Sequence, residues 1–266
     1  MREQASKAAN AAMGRADGEQ AFVDLHCHTR ASFDSLSSPG GVVRAAVARG
    51  LTHLAITDHD RIDGALEARE IAARAGAGDS DPLVVIVGEE VRTTDGDLIA
   101  VFLEKPLPPG MSAPETVAAI REQGGLVGIP HPFDRFRGTI VRGGGMRDVV
   151  PLVDWIETHN ARLVGRGNER AAELASEYGL PGVAASDAHT ILEVGIAYTI
   201  LSGDPSTADG LRAALGGARL VPGRASVVVR LVTPVAKIIQ RARGNRRVAR
   251  SAVSAGDPAV SGAPRR

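Results

Sequence analysis

Cysteine is almost missing from this chain. Cys27 stands alone, which excludes an internal disulfide framework and suits a reducing, cytoplasmic setting. Excess charge of one sign is missing too: 31 Lys and Arg balance 31 Asp and Glu, so no overall field draws the chain to nucleic acid or to a membrane. Aromatic residues make up 3% of the chain, which disfavours the aromatic-lined groove that holds single-stranded nucleic acid. No uninterrupted apolar run reaches the ~18 residues of a membrane span. Lysine occurs only at positions 7, 105 and 237, so almost every basic side chain is arginine, and one arginine near a site says little.

What is present fits one large domain with a small appendage. Residues 1–20 are polar and rich in small side chains, without the apolar core of a signal peptide, and are expected to be a disordered lead-in. The Gly/Pro/Ser/Arg-rich stretch 249–266 is expected to be a disordered tail. Between them, short apolar runs alternate with helix-like segments. The runs are 21–25, 52–57, 83–87, 98–103, 125–129, 153–157 and 182–185, and they read as buried parallel strands. Helices are expected over 39–49 with Gly50 as its stop, over 65–75, and after Ser112 with Glu115 at capping-box spacing. Another is expected over 167–179 with Asn168 as N-cap. Residues 201–248 read as a C-terminal segment packing on this unit. It would hold a capped helix, a turn, then a strand-like run and a basic amphipathic helix opened by Thr233-Pro234.

The alternation allows a barrel or an open doubly wound sheet. The polar residues choose between them. Asp58-His59-Asp60, Glu89-Glu90, His131, Glu157 with His159 and Asn160, and Asp187 with His189 each follow an apolar run. In a barrel of parallel strands those ends meet on one rim, whereas in an open sheet only those near the switch point do. So many converging ends predict an α/β fold of TIM-barrel type. Six of the seven histidines (26, 28, 59, 131, 159 and 189) lie at or just past strand ends; His53, early in its strand, reads as structural. His26 and His28, two apart on a strand, share a face, with Cys27 on the other. Two satisfied core histidines would explain that pair alone; the remaining clusters turn the balance to metal binding.

The segments "DLHCHTRASFDS", "ITDHD", "GEEV", "PHP" at 130–132 and "SDAH" occur together and in order. Over residues 22 to about 200 the chain resembles the PHP (polymerase and histidinol phosphatase) superfamily of metal-dependent phosphoesterases. That resemblance implies a distorted (β/α)7 TIM-like barrel over 21–200, with 201–248 as a PHP-associated extension, and two to three divalent ions (Mn2+, Zn2+ or Fe2+) at the strand C-termini. Carried over residue by residue, His26, His28, Glu90 and Asp187 would hold one ion, Glu90 and His131 a second, and Asp34, His59 and His189 a third. The family pattern prefers Glu90 to Glu89. Two positions depart from it: Phe33 intervenes before Asp34, and Asp97 stands where members often carry a histidine ahead of the fourth strand. Asp97 is thus either a replacement ligand or an ordinary turn residue.

Clustered ions activate water near neutral pH and clamp phosphoryl oxygens, so the expected chemistry is phosphoester hydrolysis by a metal-bridging hydroxide, with Asp58 a candidate proton-transfer group. Arg30, Arg135, Arg137, Asn160 and Arg162 follow candidate ligands and are candidate substrate contacts. The expected substrate is a phosphomonoester, a nucleotide or another small phosphorylated metabolite. The alternatives are a nuclease acting on nucleic-acid ends and a non-catalytic metal-binding module. Nothing here fixes an oligomeric state.

Overall fold

The computed structural model describes residues 20–77, 82–108, 110–134, 139–140 and 146–247; the expected tail and nearly all of the expected lead-in lie outside these. One sheet of nine strands carries the fold. Strand β1 (Gln20–Asp24) leads to helix α1 (Pro39–Arg49), β2 (His53–Ile56), α2 (Asp63–Ala75), β3 (Val84–Arg92) and β4 (Asp97–Val101). Then come α3 (Ala113–Glu122), β5 (Leu126–Ile129), a short helix α4 (Met146–Val149), β6 (Trp155–Asn160), α5 (Gly167–Tyr178) and β7 (Gly182–Ala185). The chain closes with β8 (Tyr198–Ser202), α6 (Ala208–Leu215), β9 (Arg219–Val221) and α7 (Val227–Ala242).

Strands β1 to β7 follow one another in order around the sheet, and β8 and β9 extend it from β1. The sheet curls until its ends nearly meet, giving the expected distorted TIM-like barrel. Cys27, just past β1, forms a parallel bridge with Ala188, just past β7. Lower down, the Thr199 hydroxyl on β8 accepts from Ala184 N and donates to Ala184 O on β7, each at 2.9 Å. Apolar side chains pack on both faces of the sheet. One cluster fills the barrel with Val23, Leu25, Ala55, Ile86, Ile99 and Trp155, and another lies between sheet and helices, with Ile56, Leu98, Ile120 and Ile129.

Three expectations are corrected. The run 98–103 is not a parallel strand: β4 pairs antiparallel with both β3 and β5. Only Thr93 to Gly96 separate β3 from β4, and a parallel connection needs a crossover of about a dozen residues. The rim therefore receives the start of β4, which carries Asp97, and not its end. Asn168 is not the N-cap of α5; Arg166 is, without a side-chain bond, and the Asn168 carboxamide instead takes the Asn160 backbone, accepting from N at 3.0 Å and donating to O at 3.2 Å. The strand-like run after residue 226 is helical, part of a single α7 capped by Ser226 with Pro234 inside it. The Ser226 side chain caps the helix ahead of those valines, and Val228, Val232 and Val235 stay exposed on it. Other signals hold: Ser112 and Glu115 form a capping box, and Gly50 ends α1 in the left-handed region (φ 76°).

His53 is far from the other histidines in its bonding. Its ring lies 2.8 Å from the Thr52 hydroxyl and 3.0 Å from the Ser206 hydroxyl. Burial pushes its pKa down, with Asp204 pulling the other way. The neutral ring therefore stabilises the fold above the unfolded value of 6.5, and that contribution is lost as pH falls below it. His53→Gln is expected to flatten the decline of melting temperature between about pH 7 and about pH 5, read by thermal denaturation at both. At the seam, Thr199→Val strands the Ala184 N–H and is expected to cost about 1–3 kcal/mol in chemical denaturation.

Candidate metal centre at the barrel rim

The rim collects eight buried imidazoles and carboxylates from six places in the chain. His26 and His28 follow β1, and their Nε2 atoms lie 3.0 Å apart. Glu90, inside β3, reaches both, with Oε2 at 3.4 Å from each Nε2. Asp187 Oδ1 stands 3.7 Å from His26 Nε2 and 3.5 Å from His28 Nε2. His131, after β5, places Nε2 at 3.3 Å from Glu90 Oε1, and His59, after β2, places Nδ1 at 3.2 Å from Glu90 Oε2. On the other side of His59, Asp34 Oδ2 lies 3.4 Å from His59 Nε2 and 3.2 Å from His189 Nε2. Among the described residues three ligand groups emerge: His26-Glu90-His131, His26-His28-Asp187 and His28-Asp34-His59-His189.

These contacts are close but poorly aligned. His28 Nδ1, His59 Nδ1, Glu90 Oε1 and both ring nitrogens of His131 are buried and make no hydrogen bond. Buried polar atoms are ordinarily paired, so a set of donors converging at 3–4 Å without alignment has the form of a site built around ions at their common centre. Imidazole and carboxylate donors suit Mn2+, Zn2+ or Fe2+ alike. Backbone strain marks the same places: His131 (φ 26°) and Asp187 (φ 52°) adopt positive φ without being glycine.

A supporting layer fixes the rings. Glu157 Oε1 lies 3.0 Å from His26 Nδ1, while Oε2 accepts from His131 N at 2.7 Å and from the Asn160 carboxamide at 2.8 Å. The same Asn160 nitrogen donates to Asp187 Oδ2 at 3.0 Å. His189 Nδ1 donates to Asp187 O at 2.8 Å, leaving Nε2 for the Asp34 side. Asp24 accepts from the backbone N–H groups of His26 (3.4 Å), Ser186 (3.0 Å) and Gly195 (3.2 Å). Burial pushes its carboxyl up to about 6, against those bonds.

Electrostatics divide the rings. Burial, with His189 next to it, holds His28 well below the usual histidine range, which favours the neutral ligating form. Burial opposes a charge on His26 as well, but the Asp187 and Glu157 carboxylates raise it well above that range. Burial would raise Glu90; His59, His131 and His26 hold it well below the carboxylate range.

The remaining sequence candidates lie elsewhere. Glu89 alternates to the far face of β3, where burial pushes it up to about 8 and Leu107 N donates to it at 3.1 Å. Cys27 is buried against Ala188 O. Both Asp58 oxygens accept from Thr29, from N and from the hydroxyl at 2.6 Å each, so it anchors the loop after β1, and burial pushes its carboxyl up to about 6. Arg30 is exposed and paired with Glu67 at 2.9 Å. Arg162 is buried, bound to Glu193 (2.7 Å) and to the Thr233 hydroxyl (2.6 Å). Asn160 orients Asp187 and Glu157, which is a different task from the substrate contact expected of it. His159 turns away to Gly223 O at 2.8 Å. Asp97 is in none of the three ligand groups; its Oδ1 pairs with Arg247 Nη2 at 2.7 Å. Arg135 and Arg137 lie outside the described residues.

Sequence reading missed Asp24, Glu193 and Arg247. Asp24 stands two residues before His26 at a strand end, a legible signal. Nothing in the sequence singled out Arg247.

Comparison with known proteins identifies the family. A PHP domain model matches residues 24–132, and a PHP-associated model matches residues 165–219. An uncharacterized protein of Methanocaldococcus jannaschii is 34% identical over 148 residues, covering 52% of this chain and 81% of the relative. The chain belongs to the PHP superfamily. Among other relatives of this PHP protein, a 5'-3' exoribonuclease of Haemophilus influenzae is 32% identical over 123 residues, 42% of each chain. A two-domain protein of Bacteroides vulgatus, containing a predicted PHP-like metal-dependent phosphoesterase, shares the fold. Its TM-score is 0.61 at 19% identity, over 80% of this chain and 70% of that one.

Glu157 carries the supporting layer of the PHP centre. Glu157→Ala is expected to weaken Mn2+ retention by roughly 10–100-fold with the fold intact, read by metal-buffered titration alongside circular dichroism.

Proposed function

We propose that this PHP protein is a hydrolase of phosphomonoesters, acting on a nucleotide or another small phosphorylated metabolite with two to three divalent ions. The observation that carries this reading is the convergence of eight buried donors, several without hydrogen bonds, on one rim. His26, His28, Glu90 and Asp187 would hold one ion, Glu90 and His131 a second, and Asp34, His59 and His189 a third. Such ions, when bound, lower the pKa of water and neutralise phosphoryl charge.

The chain's own part is preorganisation. His26 Nδ1 facing Glu157 sets the tautomer that turns Nε2 to the cluster, and the bond from His189 Nδ1 to Asp187 O does the same for that ring. Asn160 holds Asp187 and Glu157 in register, so the carboxylates need not reorganise when charge develops on the substrate.

A cleft of about 630 Å3 opens beside the rim, lined by Phe133, Asp134 and residues 162–167 with Arg170. It contains none of the clustered donors, but it begins two residues after His131. Its size suits a small molecule, for which sites of about 300–1,000 Å3 are typical. Arg170 sits over the Phe133 ring at 4.1 Å, which places a cation in the cleft. Zero net charge and few aromatics weigh the same way, against a polymer. The likeness to the exoribonuclease supports a second reading, a nuclease acting on nucleic-acid ends.

A panel of phosphomonoesters, a 3',5'-bisphosphate and short oligonucleotides, assayed with Mn2+ and after chelation, separates the readings. Turnover of monoesters, lost on chelation, is expected; turnover of oligonucleotides alone would favour the nuclease, and none at all a metal-binding module. His26→Ala and Asp187→Ala are each expected to lose bound metal and hydrolysis together, measured by elemental analysis and phosphate release. Full activity in His26→Ala would overturn the site.

A further inference from the structure

The two places where the sequence departs from the family pattern, Phe33 and Asp97, are joined in the structure by one residue. The last turn of α7 and the residues after it fasten onto the loop after β1. Gln240 Nε2 shares its two N–H bonds among three carbonyls of that loop: Arg30 O at 2.6 Å, Ser35 O at 2.7 Å and Ser32 O at 2.9 Å. Asn245 Nδ2 adds Ala31 O at 2.8 Å. That loop carries Asp34, whose Oδ1 accepts from the Ser32 hydroxyl at 2.8 Å. With the strap so fastened, Arg247 is brought to Asp97 at the rim. Its guanidinium pairs with Asp97 at 2.7 Å and lies 5.7 Å from the Phe33 ring centroid. The Phe33 ring in turn lies 4.8 Å from that of His59.

Topology explains why this is the metal side of the barrel. Asp97 pairs with Arg92 and Ile99 with Glu90 across the antiparallel β3–β4 ladder. Side chains two apart share a face, so Asp97 and Glu90 lie on the same face of the sheet as diagonal neighbours. Asp97 is fully buried and the Arg247 side chain only 13% exposed. Arg247 Nε is buried without a hydrogen-bond acceptor. An unsatisfied N–H on a buried cation costs free energy unless a ligand supplies the acceptor. Guanidinium matches phosphate oxygens in both geometry and charge.

We propose that Arg247 is a substrate-binding residue, whose guanidinium, held by Asp97 beside Phe33, takes an oxygen of the phosphoryl group brought to the rim. Asp97 then acts as the positioning residue for this arginine, and Gln240 as the anchor that keeps the strap in place. The assignment rests on the phosphoesterase reading for the identity of the anion, so its test does not depend on turnover.

The experiment measures binding of inorganic phosphate to the full-length, Mn2+-loaded protein by calorimetry, with bound Mn2+ determined in parallel. Arg247→Ala is expected to weaken phosphate binding by about tenfold or more at unchanged Mn2+ content, and Arg247→Lys, which keeps the charge but not the fork, to recover part of it. Because Arg247→Ala leaves Asp97 unpaired, the double variant Asp97→Asn/Arg247→Gln is measured beside it and is expected to show the same loss. Unchanged phosphate affinity in these variants would overturn the proposal, and so would a loss of Mn2+ that accounts for the whole effect. A gain in affinity or in kcat/KM would mark the arginine as an obstructing plug and also overturn it. A protein that hydrolyses no phosphomonoester, yet loses phosphate affinity with Arg247, upholds this assignment while the esterase reading fails. An esterase whose phosphate affinity and KM ignore Arg247 does the reverse.

Discussion

Glu90 is the constraint around which the rest is arranged. Its carboxylate is fully buried and stands within 3.2 to 3.4 Å of rings contributed by His26, His28, His59 and His131. A carboxylate in that position is tolerable only when positive charge surrounds it, and imidazoles so crowded are tolerable only when their lone pairs share a partner. A barrel of short strands can satisfy both demands, because it brings strand ends from distant parts of the chain to one ring. An open sheet would spread the same residues along an edge.

The supporting layer shows how little freedom is left. Glu157 bonds to His26, to the backbone of His131 and to Asn160, so one carboxylate fixes groups contributed by three strands and their loops. Positive φ at His131 and Asp187 adds strain that the surrounding packing must hold. Strain and unpaired donors in one place are the mark of a site kept for binding at some expense to stability. Asp24 accepts from backbone N–H groups and Asp58 from the Thr29 N–H and hydroxyl, and both keep the ligand loops in place.

The C-terminal segment belongs to this economy of positioning. Gln240 and Asn245 take up carbonyls of residues 30–35, so the loop with Asp34 is tied from outside as well as from within the barrel. Arg162, a candidate for the substrate, lines the cleft and at the same time ties Glu193 to α7 through Thr233. The Gln240 and Asn245 contacts couple α7 to the loop that carries Asp34.

Sequence patterning determined a good deal by itself. Short apolar runs, helical patterns, glycine stops and the capping box located most elements; the recurrence of His, Asp and Glu after apolar runs pointed to the rim, and the resemblance to the PHP superfamily added Asp34 and preferred Glu90 to Glu89. Those signals are local, and each depends on a few neighbouring residues. Tertiary structure alone decided the direction of β4, which follows from a four-residue link, and so placed Asp97 at the rim. It also decided which residues of β6 face inward. Alternation pairs Glu157 with His159, but a bulge between them shifts the register, so that Asn160 joins Glu157 while His159 turns to Gly223. Arg247 reaches Asp97 across 150 residues of chain, a meeting that no periodicity encodes because it depends on where α7 ends over the barrel.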